Sequence, residues 1–307
     1  MHDTLMYCAM PTRMQARREQ VRKAAWDAGY VPVIPFDLGP YKHFEGNADF
    51  GRKRALEVML KLQSCVCQST GIFGISPGVM GELENALNIS QPVRVFHGFD
   101  PDWEEEYEKL KGTYGDLLAR LRGPHTLVVF VGSTAVGKTF WIDRLLKRFS
   151  GKLARVKNMT TRISRSLEDF DSYHFLTKAD FETAVFQGKF LEHTIFREQY
   201  YGSSFEAMRN VLTKSHGIFA LTPDGVAALY KHRLEFNLRF VVLQPETSEV
   251  LTRNLMSRNI TDPEKQNEIW AKVPEFNLPA NIPHTVVTVT GNLGIDEPRI
   301  LSAIELS

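Results

Sequence analysis

The stretch Gly132-Ser133-Thr134-Ala135-Val136-Gly137-Lys138-Thr139 constrains this chain more than any other. It follows the apolar run Leu127-Val128-Val129-Phe130-Val131 and precedes Phe140-Trp141-Ile142-Asp143-Arg144-Leu145-Leu146-Lys147. A strand that turns through glycines into a helix gives the pattern GxxxxGK[ST] its physical meaning, a backbone wrapped around phosphate. Gly132 and Gly137 let the chain bend, so that the N–H groups of the residues between them point inward. Lys138 then reaches the β- and γ-phosphates, Thr139 offers its hydroxyl to Mg²⁺, and the helix N-terminus adds favourable partial charge. ATP and Mg²⁺ are the expected ligands.

With 307 residues the chain has room for two domains, each with its own core. A formal net charge of +1 supplies no global field, so neither nucleic acid nor a membrane surface is an expected partner. The three cysteines, Cys8, Cys65 and Cys67, are odd in number and two stand as CxC, which points to a reducing compartment. The N-terminal residues lack the pattern of a signal peptide and no apolar run approaches 18 residues, so a cytoplasmic protein is expected, in a host's cytoplasm if it is viral. The histidines show no zinc-type spacing. Self-assembly is left open.

The first 100 residues alternate strand-like and helix-like patterns, which predicts a small open parallel α/β sheet. Leu5–Ala9 reads as a strand, Arg13–Ala28 as a helix, and Val31–Ile34 as a strand whose Pro32 suits an edge. A polar loop over 37–49 follows, then a helix from about Phe50 to Gln63, a strand within Val66–Ile75, a helix around Gly81–Leu87 and a strand at Pro92–Phe96. In such sheets ligands bind beyond the carboxyl ends of the strands. The pieces Tyr7-Cys8-Ala9-Met10-Pro11, Gly29–Pro35, Ser76-Pro77-Gly78-Val79-Met80-Gly81-Glu82 and Gln91-Pro92-Val93 resemble the nucleoside 2-deoxyribosyltransferase-like group. That resemblance implies Glu82 as the group attacking the sugar's anomeric carbon, with Tyr7 beside it, and so N-glycosidase or deoxyribosyl transfer chemistry. Active members usually carry an aspartate on the strand where this chain has Cys65–Thr70. Two readings stay beside it: a domain that only binds or packs, and Glu82 as an acid at a helix N-terminus.

Residues 101–123 read as a helical linker, acidic first and basic later, with Trp103, Tyr107, Leu110, Tyr114, Leu117, Leu118 and Leu121 at helical intervals. Residues 124–307 are the second domain. Beyond its cradle stand the run Lys157–Phe175, then Gly188-Lys189-Phe190-Leu191-Glu192-His193 and Gln199-Tyr200-Tyr201-Gly202-Ser203. Over about 125–275 these resemble the guanylate kinase family. Moving a γ-phosphoryl between charged phosphates requires cations and donors aimed at the transferring group. Arg162 and Arg165 can fork onto an acceptor phosphate. The resemblance implies that Tyr173 and Tyr201 add hydroxyls, that Glu192 and Ser203 read the base, and that Arg258 clamps ATP from a lid, with Arg253 as a neighbouring candidate. Lys265 or Lys272 stands in for a second lid arginine.

Asn158 replaces a base-contacting serine, and Ala220 and Thr222 replace acids after the strand Gly217–Leu221. These departures predict a nucleoside or deoxynucleoside monophosphate whose base differs from plain guanine. The catalytic set is thus Lys138, Arg162, Arg258 and Glu82. Two other functions fit the same pattern: a kinase for a phosphorylated sugar, and a non-catalytic interaction module on a decayed kinase fold. Retention of Lys138 and Thr139 argues against the second, and Glu192 with Ser203 against the first.

Overall fold

The computed structural model describes residues 4–37, 48–164, 169–187, 189–196 and 198–306. The chain forms two compact units, Met1–Gly123 and Pro124–Ser307.

In the first unit the expected alternation becomes β1 (Leu5–Ala9), α1 (Arg18–Asp27), β2 (Val31–Val33), α2 (Ala48–Cys65), β3 (Ser69–Ile72), α3 (Pro77–Asn88) and β4 (Val93–Val95). The four strands are parallel in the order β2-β1-β3-β4. The Pro32 strand is an edge, where a missing N–H costs nothing. The helix expected from Arg13 begins instead as a tight turn over Thr12–Arg17 before α1. Most of the loop expected over 37–49 lies outside the described residues. Met6, Cys8, Met14, Val21, Phe73 and Phe96 form the core, where the rings of Phe73 and Phe96 stack at 4.3 Å.

Residues 101–123 differ from the expected linker. They fold as two helices, α4 (Trp103–Leu110) and α5 (Gly115–Arg122), and belong to the first unit. The apolar positions that suggested a linker are its packing face: Trp103, Tyr107, Leu117 and Leu118 are buried, and Trp103 meets the His97 ring edge-on. Asp100 anchors the entry to this segment. Its buried carboxylate accepts from Arg13 Nη2 at 2.5 Å, from the Ile75 N–H at 3.1 Å and from the Asp102 N–H at 3.2 Å. The turn it holds is so close that a Cβ on Gly74 would stand 2.5 Å from Pro11 and 2.7 Å from Asp100 itself.

The second unit has a five-stranded parallel sheet in the order β13-β12-β5-β11-β6, where β5 is Thr126–Val131, β6 Leu153–Arg155, β11 His216–Ala220, β12 Asn237–Pro245 and β13 His284–Val289. β5 lies at its centre and is buried on both faces, which is why it reads as an unbroken apolar run. Val128 and Phe130 enter one core with Val136, Trp141, Leu145, Leu251 and Leu255, while Leu127, Val129 and Val131 enter another with Phe219, Leu229 and Phe240. Helices α6 (Lys138–Arg148), α9 (Phe205–Leu212), α10 (Pro223–Tyr230), α11 (Ser248–Met256), α12 (Pro263–Ala271) and α13 (Leu293–Ile304) complete the layers. A second, mixed sheet of order β8-β7-β10-β9 has no counterpart among the elements expected from sequence. It comprises β7 (Asn158–Thr160), β8 (Tyr173–Phe175), β9 (Phe190–Phe196) and β10 (Gln199–Ser204), with the short α7 (Asp169–Ser172) before β8 and α8 (Lys178–Phe186) after it. Among the described residues no helix is long and apolar enough to cross a membrane.

Removing the Asp100 carboxylate takes from Arg13 its buried charged partner, leaving it the Ile75 carbonyl and the half-exposed Asp102, and leaves the Ile75 and Asp102 N–H groups without their acceptor. Asp100→Ala is expected to cost the first unit about 2–3 kcal/mol. Urea unfolding followed by tryptophan fluorescence, to which Trp26 and Trp103 of the first unit contribute, checks this, and an unchanged midpoint would show the anchor to be dispensable.

Candidate functional site

The cradle joins β5 to α6 at the centre of the large sheet. Its first glycine is required by contact. Gly132 has φ +151°, and a Cβ there would stand 2.6 Å from the carbonyl oxygen of Leu243 on β12. Gly137, at φ +105°, is the residue from which α6 starts. Between them Ala135 takes φ +65°, a left-handed conformation that costs a non-glycine residue about 1–2 kcal/mol. Val136 locks the turn into the core and is fully buried.

Lys138 folds back over this loop, donating from Nζ to the carbonyls of Gly132 at 2.7 Å and Ser133 at 2.9 Å. The residue as a whole is half-buried, but its ammonium is packed deep among the loop atoms, and that setting governs its titration. Burial, and then the positive charge of Arg258, push the ammonium down to about 8. Ser133 Oγ is buried with no hydrogen-bond partner. Thr134 and Thr139 are exposed at the mouth. An inward lysine, an orphaned buried hydroxyl, a helix N-terminus and an exposed threonine fit a polyphosphate with its Mg²⁺. Arg258 lies just past α11, and Arg253 lies across Gly291. Lys272 is paired with Glu268 at 2.6 Å.

The predicted acceptor residues gather on the small sheet in two groups. Arg162, buried, stacks its guanidinium over Tyr173 at 4.7 Å and Phe175 at 5.5 Å. The rings of Tyr173 and Tyr201 meet edge to face at 6.4 Å. Stacking engages the face of a guanidinium and phosphate recognition engages its edge, so both can hold at once. The turn carrying Arg162 is tied down by Thr160 and Thr161: Thr160 Oγ1 donates to the Tyr200 carbonyl at 2.9 Å, and the Tyr200 N–H donates to Thr161 Oγ1 at 2.9 Å. Arg165 lies outside the described residues.

Ser203 organises the second group. Cross-strand register sets Ser203 opposite Glu192, and its Oγ donates to Glu192 Oε1 at 2.8 Å. The same Oγ lies 3.1 Å from Asn158 Oδ1. One hydroxyl carries one proton, so with Glu192 accepting it the Asn158 amide satisfies Oγ by turning its NH₂ inward. Burial raises the Glu192 carboxyl above its ordinary value, against the lowering effects of Ser203 and His193. Thr222 caps α10, its hydroxyl oxygen accepting from the Gly225 N–H at 3.2 Å.

In the first unit Tyr7 donates its hydroxyl to Glu82 at 2.6 Å. Glu82 sits in the second turn of α3, whose N-terminus is capped by Ser76 and contains no acid in its first turn. The reading of Glu82 as an acid at a helix N-terminus is therefore replaced by that of a buried, tyrosine-bound carboxyl. Burial, offset by that hydrogen bond, pushes it up to about 7. Beneath it Gln63 donates to the Glu82 carbonyl at 2.9 Å and to Thr70 at 2.8 Å, and Thr70 donates to Gln91 at 2.5 Å. This amide network occupies the region where the sequence lacks an aspartate.

Sequence reasoning overlooked Asn254 on α11, which donates to the Ala135 carbonyl at 2.9 Å. A polar residue in an amphipathic helix carries no local signal of such a contact.

The sequence profile of the guanylate kinase family matches residues 124–286. Guanylate kinase from Chlorobium chlorochromatii (strain CaD3) is 33% identical over 138 residues, covering 44% of this chain and 72% of that protein. Guanylate kinase from Chlorobium luteolum (strain DSM 273 / BCRC 81028 / 2530) is 32% identical over 139 residues, covering 45% and 70%. The crystal structure of guanylate kinase from Anaplasma phagocytophilum aligns with a TM-score of 0.39 and 15% identity, covering 60% of this chain and 87% of that one. Because the profile takes in more than half of the chain, from the strand before the cradle into β13, the protein belongs to the guanylate kinase family.

Proposed function

We propose that the second unit transfers the γ-phosphoryl of ATP to a nucleoside or deoxynucleoside monophosphate. One observation carries this reading: Lys138 Nζ is held over the Gly132 and Ser133 carbonyls at the start of α6, where a polyphosphate can take it over. The loop N–H groups and Lys138 bind the donor phosphates, and Thr139 is the residue that would hold Mg²⁺. That ion, when bound, screens the charge between donor and acceptor. Arg162 and the tyrosines Tyr173 and Tyr201 seat the acceptor phosphate, with Arg165 expected to join them. Arg258 approaches from the lid side to offset charge on the transferring group.

Glu192, Ser203 and Asn158 read the base. A carboxylate held by a hydroxyl accepts from adjacent N–H groups of a purine, and such donors keep it ionised against the burial that raises it. Asn158 in place of serine and Thr222 in place of an acid support an acceptor base other than plain guanine. A phosphorylated sugar would bring no N–H donors to Glu192 and leave it with Ser203 as its hydrogen-bond donor, so that reading is the weaker one.

We further propose that the first unit acts on the same class of compound: Glu82, held in place by Tyr7, attacks the anomeric carbon of a nucleotide. The glycosidic C–N bond breaks and the base leaves with a proton from water, and a second water hydrolyses the glycosyl ester to free the carboxylate. The short Tyr7–Glu82 contact supports it.

Three outcomes are expected. A coupled assay of ADP release over a panel of ribo- and deoxyribonucleoside monophosphates, modified bases included, gives turnover that Lys138→Ala reduces by about 10²–10³ fold. No ADP from any acceptor sinks the kinase reading. The affinity for ATP falls as pH rises through about 8, because Lys138 loses its charge there, and binding at pH 8 draws in a proton visible as a buffer-dependent heat in calorimetry. Free base is released from monophosphates at a rate that climbs with pH through about 7, as Glu82 ionises, and Glu82→Gln abolishes it while Lys138→Ala does not. Equal base release by Glu82→Gln would dismiss the glycosidic role.

A further inference from the structure

We infer that Asn254 is a positioning residue for the phosphate cradle: its side chain holds Ala135 in the left-handed conformation that the loop needs in order to bind the donor nucleotide. The inference rests on the donor-site reading above.

The cradle has three residues at positive φ, Gly132, Ala135 and Gly137. Two are glycine, for which such backbone angles carry no steric penalty. The third is alanine, whose Cβ crowds the backbone at φ +65°, so that this residue left to itself drifts toward negative φ. That drift would swing the Ala135 and Val136 N–H groups away from the phosphate position. The loop therefore needs an outside hold at this residue.

Asn254 supplies it. Nδ2 donates to the Ala135 carbonyl at 2.9 Å, across 119 positions of sequence. The donor is rigidly based, since Val250, Leu251 and Leu255 of the same helix are buried in the core that also contains Ala135 and Val136. The remaining bonds of the loop do not do this work. Lys138 is bonded to the carbonyls of Gly132 and Ser133, ahead of the strained residue, and the Val136 N–H meets the Ser133 carbonyl only at 3.4 Å. Four residues beyond Asn254 stands Arg258, whose charge acts on Lys138. The helix that leads to the lid is thus hydrogen-bonded to the cradle directly, and a shift of α11 is felt by the loop.

The test is a cycle of variants read by calorimetric affinity for Mg²⁺-ATP and by the separate KM values for ATP and acceptor. Asn254→Asp keeps shape but replaces the donor with an acceptor facing a carbonyl, and Asn254→Ala removes the group. Both are expected to weaken ATP binding about tenfold while the acceptor KM moves less than twofold, with the melting temperature as a check on folding. In an Ala135→Gly background, where left-handed φ needs no hold, the loss from Asn254→Ala is expected to shrink below threefold. Such rescue would not arise if Asn254 merely stabilised α11. Undiminished ATP affinity in Asn254→Asp, or an undiminished loss in the Ala135→Gly background, overturns the inference. Absence of ATP binding by the unaltered protein would instead defeat the donor-site reading.

Discussion

The second unit depends on how closely the turn after β5 passes the strand beside it. Gly132 leaves β5 with no room for a side chain, because the Leu243 carbonyl of β12 occupies that space. The close approach lets the loop curl over the end of the sheet and deliver the chain into α6 with Val136 and Trp141 already in the core. The loop takes positive φ at three residues and brings Lys138 inward onto its own carbonyls. The cradle lysine is thus held against the loop, and burial there depresses its affinity for a proton.

Four ionisable groups, two buried and two half-buried, each have short, specific partners. In the first unit, Glu82 has Tyr7, and Asp100 has Arg13 with two backbone N–H groups. In the second, Glu192 has Ser203, and Lys138 has two loop carbonyls. Asp100 is satisfied by charge and reads as architecture. Glu82, Glu192 and Lys138 are hydrogen-bonded to neutral groups and are displaced by burial from their ordinary values toward the neutral form. A carboxyl or ammonium in that condition gains most from a charged or hydrogen-bonding ligand, and such groups concentrate at functional sites.

Much of the site could be read from residue order because it rests on local chemistry. The cradle, its lysine and threonine, and the strand–helix setting follow from eight consecutive residues and their flanks. The alternating pattern of residues 5–96 described a parallel sheet, and Pro32 marked its edge. Elsewhere local pattern misled. The helical spacing over 101–123 was real, yet periodicity records an apolar face without saying what covers it, and Trp103, Tyr107, Leu117 and Leu118 are buried within the first unit. The small mixed sheet was invisible for a related reason: its strands are short, and two of them, β7 and β8, have three residues each.

The amino-acid order by itself determined the phosphate cradle, the parallel sheets and the types of residue offered to an acceptor, since these depend on neighbours along the chain. Tertiary structure alone decided what those residues touch. It made Thr222 the cap of a helix, placed Asn158, Ser203 and Glu192 on one hydrogen-bonded row, and set Glu82 against the Tyr7 hydroxyl. It also brought Asn254 to Ala135 across 119 positions. Hydrogen-bond partners so far apart in sequence are chosen by register and packing, and a string of residues carries no direct record of either.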